Sequence, residues 1–166
     1  GWPARGRLLS LEPSHLRPRV LADGQHGIYI SWLEQRHEFV WYGGYYEEGW
    51  PLRMLVAHLG PAGTGAGGWG SAARVIGTSG VPYEWLTQCA IDLAPDGGLW
   101  LAWSTFSANP FASSLTPGAW KVTRVSPGGV PVGAWPEQGT ELGPFPGDIG
   151  AIAKEIGLWA EGDLVI

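Results

Sequence analysis

The sequence predicts an all-β fold assembled from repeated four-stranded antiparallel units, and three observations carry that prediction. The first is a repeat of about seventy residues. Pro18 to Trp32 (PRVLADGQHGIYISW) is answered by Ala90 to Trp103 (AIDLAPDGGLWLAW), and Leu55 to Gly63 (LVAHLGPAG) by Lys121 to Gly129 (KVTRVSPGG). Each copy then runs into a tryptophan, Trp69 and Trp135, with an earlier member at Trp2. The second is the pattern within each copy: apolar alternation cut by Gly, Pro and Asp, with hardly any helical periodicity. The third is the way the offset changes. Asp23 to Asp96 is 73 residues, Trp32 to Trp103 is 71, and Pro61 to Pro127 is 66. The register thus drifts only in connections, by two residues at the first turn and five between the second and third strands. A repeat of this length is one supersecondary unit that needs neighbours to bury its faces.

In chain order, residues 1–10 match the stretch from Trp69 to Ile76, so the chain is expected to open in the last strand of a preceding unit. A complete unit follows over 17–77. Its strand a is Arg17 to Ala22, turned by Asp23-Gly24; strand b is Ile28 to Leu33, strand c Leu52 to Leu59, and strand d Ser71 to Gly77 after the turn Gly60 to Gly68. Gly supplies the positive φ of such turns and Asp folds onto its own backbone. A second unit covers 88–142. Here strand a is Gln88 to Ala94, strand b Leu99 to Ser104, strand c Trp120 to Ser126 and strand d Gly139 to Leu142. Residues 148–166, with the Glu161-Gly162-Asp163 turn, read as strands a and b of a further copy. Leu164-Val165-Ile166 would then form an apolar edge, a hazard unless paired or covered. The terminal strands are therefore expected to pair with each other, with another copy, or with the rest of a longer chain.

Asp96-Gly97-Gly98-Leu99-Trp100-Leu101-Ala102-Trp103, followed by Val122-Thr-Arg-Val-Ser-Pro-Gly-Gly129, resembles the blades of β-propellers of bacterial and phage surface proteins. There an Asp-Gly-rich hairpin ending in Ala-Trp precedes an Arg-and-Pro-containing hairpin. The resemblance covers nearly the whole chain and implies a propeller-like repeat of four-stranded blades. It departs in number: propellers close with about four to eight blades, and this chain has material for about three. The Asp-Gly turns also faintly resemble the Asp boxes of sialidases, but Ala94 stands where that box has Ser and Trp100 falls one position early.

Composition excludes several classes. With 45% hydrophobic residues the chain is no disordered tail, and no apolar run is long enough for a membrane span. A net charge of −5 without a Lys/Arg cluster argues against nucleic acid. Cys89 is alone in an apolar strand-like stretch and reads as a buried thiol. The start at Gly1-Trp2 suits a processed or excised piece. One Asn, one Met and a preference for Arg over Lys suit a thermophilic, GC-rich source.

Reaction chemistry is hard to find. Gly63-Thr-Gly65-Ala-Gly-Gly68 spells G-x-G-x-x-G, but a dinucleotide site needs a helix next, and Trp69 and a strand follow. His15, His26, His37 and His58 have no metal-ligand spacing, so neither metal nor cofactor is expected. Glycosidase chemistry needs two placed carboxylates; Glu34, Glu38, Glu47, Glu48 and Glu84 are available, and their convergence is not legible in sequence.

One stretch stands out. From Glu34 to Pro51, between strands b and c of the first unit, lie six aromatics and four acids, against 12% aromatics overall. Phe39 to Tyr42 and Tyr45 to Tyr46 suit a small hairpin around Gly43-Gly44, packed on its own base. The ligand-binding candidates are Trp41, Tyr42, Tyr45, Tyr46, Glu47, Glu48 and Trp50, joined by Tyr83 and Trp85 from the following d–a connection. Flat rings beside carboxylates suit sugars, by stacking and by accepting hydroxyl hydrogen bonds, and exposed Trp/Tyr also suit protein surfaces. The expected function is a non-enzymatic scaffold and recognition module for glycan or protein, in an extracellular, cell-surface or virion (tail or fibre) polypeptide. Two alternatives stand beside it: a glycosidase or polysaccharide lyase working at the same face, and a purely structural assembly protein.

Overall fold

The computed structural model describes residues 3–4, 6, 8–9, 15–35, 38–42, 45–49, 52–70, 73–78, 84–108, 115–142, 157–158 and 164–165. Twelve strands and one 3-10 turn lie along them. The first unit holds β1 (His15–Ala22), β2 (Ile28–Gln35), β5 (Leu52–Leu59) and β6 (Arg74–Thr78), with a hairpin of β3 (Glu38–Tyr42) and β4 (Tyr45–Gly49) between β2 and β5. The second unit holds β7 (Glu84–Leu93), β8 (Leu99–Ala108), β9 (Leu115–Val125) and β10 (Thr140–Glu141). A last hairpin joins β11 (Gly157–Leu158) and β12 (Leu164–Val165). Each unit is an antiparallel meander, β1-β2-β5-β6 and β7-β8-β9-β10. All-β character and the expected strand order are therefore present. Strand c of the first unit has the expected bounds, whereas strand b extends to Gln35 in the first unit and to Ala108 in the second, and strand c of the second unit begins at Leu115.

The pairing fixes which residues correspond. Ala22 faces Ile28 and Leu93 faces Leu99, while Ile28 faces Leu59 and Leu99 faces Val125. Trp32 and Trp103 thus hold one position. Beyond strand c the two chains follow the same hydrogen-bonding path 66 residues apart. Gly60 N–H donates to Thr64 O as Ser126 does to Val130; Gly63 to Gly60 as Gly129 to Ser126; Ala66 to His58 as Val132 to Arg124; and Trp69 to Ala66 as Trp135 to Val132. The glycine-rich stretch is therefore a c–d turn ending in one 3-10 turn at Gly67–Trp69, with β6 beyond it.

One sequence alignment needs correcting. The a–b turns have equal length, with the N–H of Asp23 donating to Gly27 O and that of Ala94 to Gly98 O. No residue is lost there, and Asp23 and Asp96 are not equivalent positions. His26, at φ +68, holds the left-handed place that Gly97 fills at φ +80.

The sheets stack face to face. The front of sheet 1, with Tyr29, Leu33, Met54, Val56 and Ile76, shares a core with Cys89, Leu99, Leu101, Trp103 and Val125 on the back of sheet 2. Cys89 is a free, buried thiol whose pKa burial pushes up. Three hydrogen bonds lock the stack, all from sheet 1 donors to turn carbonyls of sheet 2. Tyr29 Oη donates to Gly97 O (2.9 Å), Trp69 Nε1 to Pro127 O (2.8 Å) and an Arg74 guanidinium nitrogen to Gly129 O (2.5 Å). Trp69→Phe keeps the ring's bulk but removes one donor and leaves the Pro127 carbonyl unmet. It should cost about 1–2 kcal/mol, read as a lower urea midpoint at unchanged m-value; an unaltered midpoint would discount the lock.

On the back of sheet 1, Trp32, Leu55 and Ala57 are covered by Leu9 and Ala73 among others. Pro3, Ala4, Gly6, Leu8 and Leu9 belong to no strand, and Gly6 N–H closes a tight turn onto Pro3 O. Among the described residues of 1–10, Leu9 packs on this face and Leu8 is exposed. Among the described residues no helix is long and apolar enough to cross a membrane.

Candidate functional site

The aromatic stretch forms a ribbon. Within β2–β5 the pairs run without a register shift from Ile28↔Leu59 to Gln35↔Leu52. Three residues further along each arm, β3–β4 resumes in the same register, with Glu38↔Gly49, Phe39↔Glu48, Val40↔Glu47, Trp41↔Tyr46 and Tyr42↔Tyr45. The described ends of the flanking strands lie at the root, where His15 faces Glu34 and Thr78 faces Arg53. β3 and β4 form a sheet of two strands. The strands of the hairpin expected around Gly43-Gly44 are thus paired, while the two glycines lie outside the described residues.

Register also sorts the candidates. Strand alternation gives Phe39, Trp41, Tyr46 and Glu48 one parity, and Val40, Tyr42, Tyr45 and Glu47 the other. Glu47 and Glu48 therefore do not share a face. Glu34 is buried at the root, opposite Arg53. Trp85 lies on β7 opposite Phe106, beside Glu84 opposite Ser107. That end of sheet 2 is the one from which its own b–c connection leaves, as the arm leaves sheet 1. Trp50, Pro51, Tyr83 and His37 fall outside the described residues.

A second cluster was not singled out by sequence. His58 Nε2 lies 2.8 Å from Asp23 Oδ2, and both side chains are more than nine-tenths buried. The Asp23 Oδ1 accepts from the N–H groups of Gln25 (2.7 Å) and Gly27 (2.8 Å). Burial pushes the Asp23 carboxyl up, but the His58 bond and those two backbone donors outweigh it and hold it below the usual value. The His58 ring stacks on Tyr29 at 3.9 Å, and Trp69 meets Tyr29 edge-on at 5.9 Å. Burial, with the charges of Asp23 and Asp96, pushes the Tyr29 phenol up to about 12.

A buried Asp–His pair invites a catalytic reading, and the sister unit answers it. Arg124, the equivalent of His58, reaches Asp96 at 3.1 Å and lies over the Trp100 ring at 5.4 Å, with Trp135 edge-on to Trp100 at 5.0 Å. An arginine cannot act as a base. In the first unit His58 Nε2 is engaged by Asp23, and Nδ1 is buried with no hydrogen-bond partner among the described residues. Both sets are structural clamps tying the a–b turn to strand c over an aromatic strand b. The signal was in the sequence: matching the repeats pairs His58 with Arg124, two nitrogen-bearing side chains beside acidic turns.

No family model, curated protein or solved structure matches the chain. Among the described residues no group of three or more His, Cys, Asp or Glu is placed to hold a metal ion.

Raising a buried phenol's pKa favours the neutral folded form. Tyr29 therefore stabilises the fold fully below its unfolded value near pH 10, and this contribution is lost as pH rises toward about 12. Between those limits the melting temperature should fall less steeply for Tyr29→Phe than for the unaltered chain. Parallel curves would show that the hydroxyl is not held in the core.

Proposed function

We propose that this chain is a non-enzymatic scaffold of propeller-like stacked units that presents the β3–β4 arm as a recognition element for a glycan or protein surface. It would serve in a surface, secreted or virion polypeptide. The observation that carries this reading is the arm: the chain's densest run of aromatics and acids forms a two-stranded sheet of its own, β3–β4, whose pairing keeps the register of β2–β5. In the sister unit, β8–β9 continues to Ala108↔Leu115 and is accompanied by β7 as far as Glu84↔Ser107. Its connection, Ser104 to Gly118, is rich in Ser, Thr, Ala and Pro.

A two-stranded ribbon has two faces, and only one can be spent on its own sheet. Stacking on Trp41 and Tyr46 would provide most of the affinity, with Glu48 on the same parity accepting hydroxyl hydrogen bonds or meeting a basic group. Trp85 lies on β7 at the end of sheet 2 from which its own b–c connection leaves.

Glycan-array and partner pull-down screens with the unaltered chain, Trp41→Ala and Tyr46→Ala test the reading. Loss of a central aromatic anchor costs about 2 kcal/mol or more, so each variant should bind roughly thirtyfold more weakly while melting within a few degrees of the parent. A large drop in melting temperature would make these aromatics a satellite core. Unchanged binding would move the site elsewhere.

A further inference from the structure

The front of sheet 2 repeats the docking set of the front of sheet 1. Trp100, Arg124, Val122 and Trp135 hold the positions of Tyr29, His58, Val56 and Trp69. On sheet 1 this set is buried by the back of the next sheet, and Tyr29 and Trp69 donate to its turn carbonyls. On sheet 2 Trp100 (9% exposed) and Val122 (0%) are buried while Arg124 and Trp135 are half-buried, and beside them Ala94 is 4% exposed and Ala102 1%. The described side chains packed there, Trp135 and Leu142, both come from the c–d side. Ala94 and Ala102 belong to the a–b side and need another cover. Among the described residues Trp100 Nε1 is buried there without a hydrogen-bond partner.

The last hairpin has the matching form. Leu158 faces Leu164, the six-residue closure by which Ala22 faces Ile28 and Leu93 faces Leu99. Leu158 and Leu164 therefore hold the register positions of Leu93 and Leu99, which pack into the core against the front of sheet 1. β11 lies against β7, strand on equivalent strand, as β7 lies against β1.

We propose that the front of sheet 2 is the seat of a third unit whose leading strands are β11 and β12. The hairpin sits with the positions of Leu158 and Leu164 toward Trp100 and Ala102, and its backbone offers the acceptor for Trp100 Nε1. The proposal rests on the repeat and is independent of any ligand on the arm.

Hydroxyl-radical footprinting of the full chain tests it. In the unaltered protein Trp100 should be protected like Trp69; in Leu164→Asp, oxidation of Trp100 should rise severalfold while Trp69 stays protected. Unchanged Trp100 oxidation would overturn the proposal. Should the variant expose Trp69 too, a photo-crosslinking benzoylphenylalanine in place of Leu164 decides. Capture of the β8 or β9 peptides within one chain supports the seat. Capture of the back of sheet 1, or crosslinks only between copies, overturns it.

Discussion

Trp103→Ala is expected to destabilise the chain by about 3–5 kcal/mol, the range for emptying a large aromatic site in a core. The ring is 0% exposed and stands in the cluster shared by both sheets. Two glycines make room for it: a Cβ on Gly77 would come within 3.0 Å of the ring and one on Gly139 within 2.7 Å. Neither strand has side-chain atoms there to collapse into the void, so relaxation recovers little. Urea unfolding followed by far-UV circular dichroism should show a single transition with a much lower midpoint. A loss below about 1 kcal/mol, within the reach of ordinary surface substitutions, would mean that the two sheets do not share one core.

The second large effect separates the two clamps. Asp23→Ala strands a buried imidazole and two backbone N–H groups, and should cost about 3 kcal/mol, at the lower end for breaking a buried pair. Asp96→Ala breaks a pair whose side chains are 41% and 24% exposed, and should cost less than about 1 kcal/mol. Asp96 is also held below the usual carboxylate value: burial raises it, while the Gly98 N–H and Arg124 lower it further. Both carboxylates are thus favoured ionised in the fold. Their contribution is complete above the unfolded value of about 4 and is lost as pH falls through the lower folded values. Melting temperature should therefore drop below about pH 4, and less steeply in Asp23→Asn, whose stability no longer includes that ionisation. An equal acid slope in both proteins would remove Asp23 from this role.

Much of the fold was legible because its signals are local. Alternation marks strands, Asp-Gly and Pro-Gly mark turns, and the 66-residue offset from Pro61 to Pro127 survives into hydrogen bonds. Other features depend on pairing, which identity matching misreads. Asp23 and Asp96 look equivalent because both are turn aspartates, yet each reaches the same glycine N–H from a different place, two residues apart. The shift is tolerated because strand c needs a carboxylate near His58 or Arg124, whichever turn residue carries it. The arm was visible as composition, but its register depends on Gln35↔Leu52 and Glu38↔Gly49 keeping step. Of the N-terminal residues that match a strand in pattern, Leu9 packs on a sheet face.

The two faces that meet in the stack differ in kind, and this sets a polarity for the molecule. The front of sheet 1 donates through phenol, indole and guanidinium, and the turns of sheet 2 receive through their carbonyls. A face that is only a donor has no complement in its own image, so a two-fold dimer cannot be built by setting like faces together. Association through the sheets is heterologous and has a direction, like stacked cups. Any symmetric partnership of this chain with itself would have to be made through another surface, such as the arm or the strand edges.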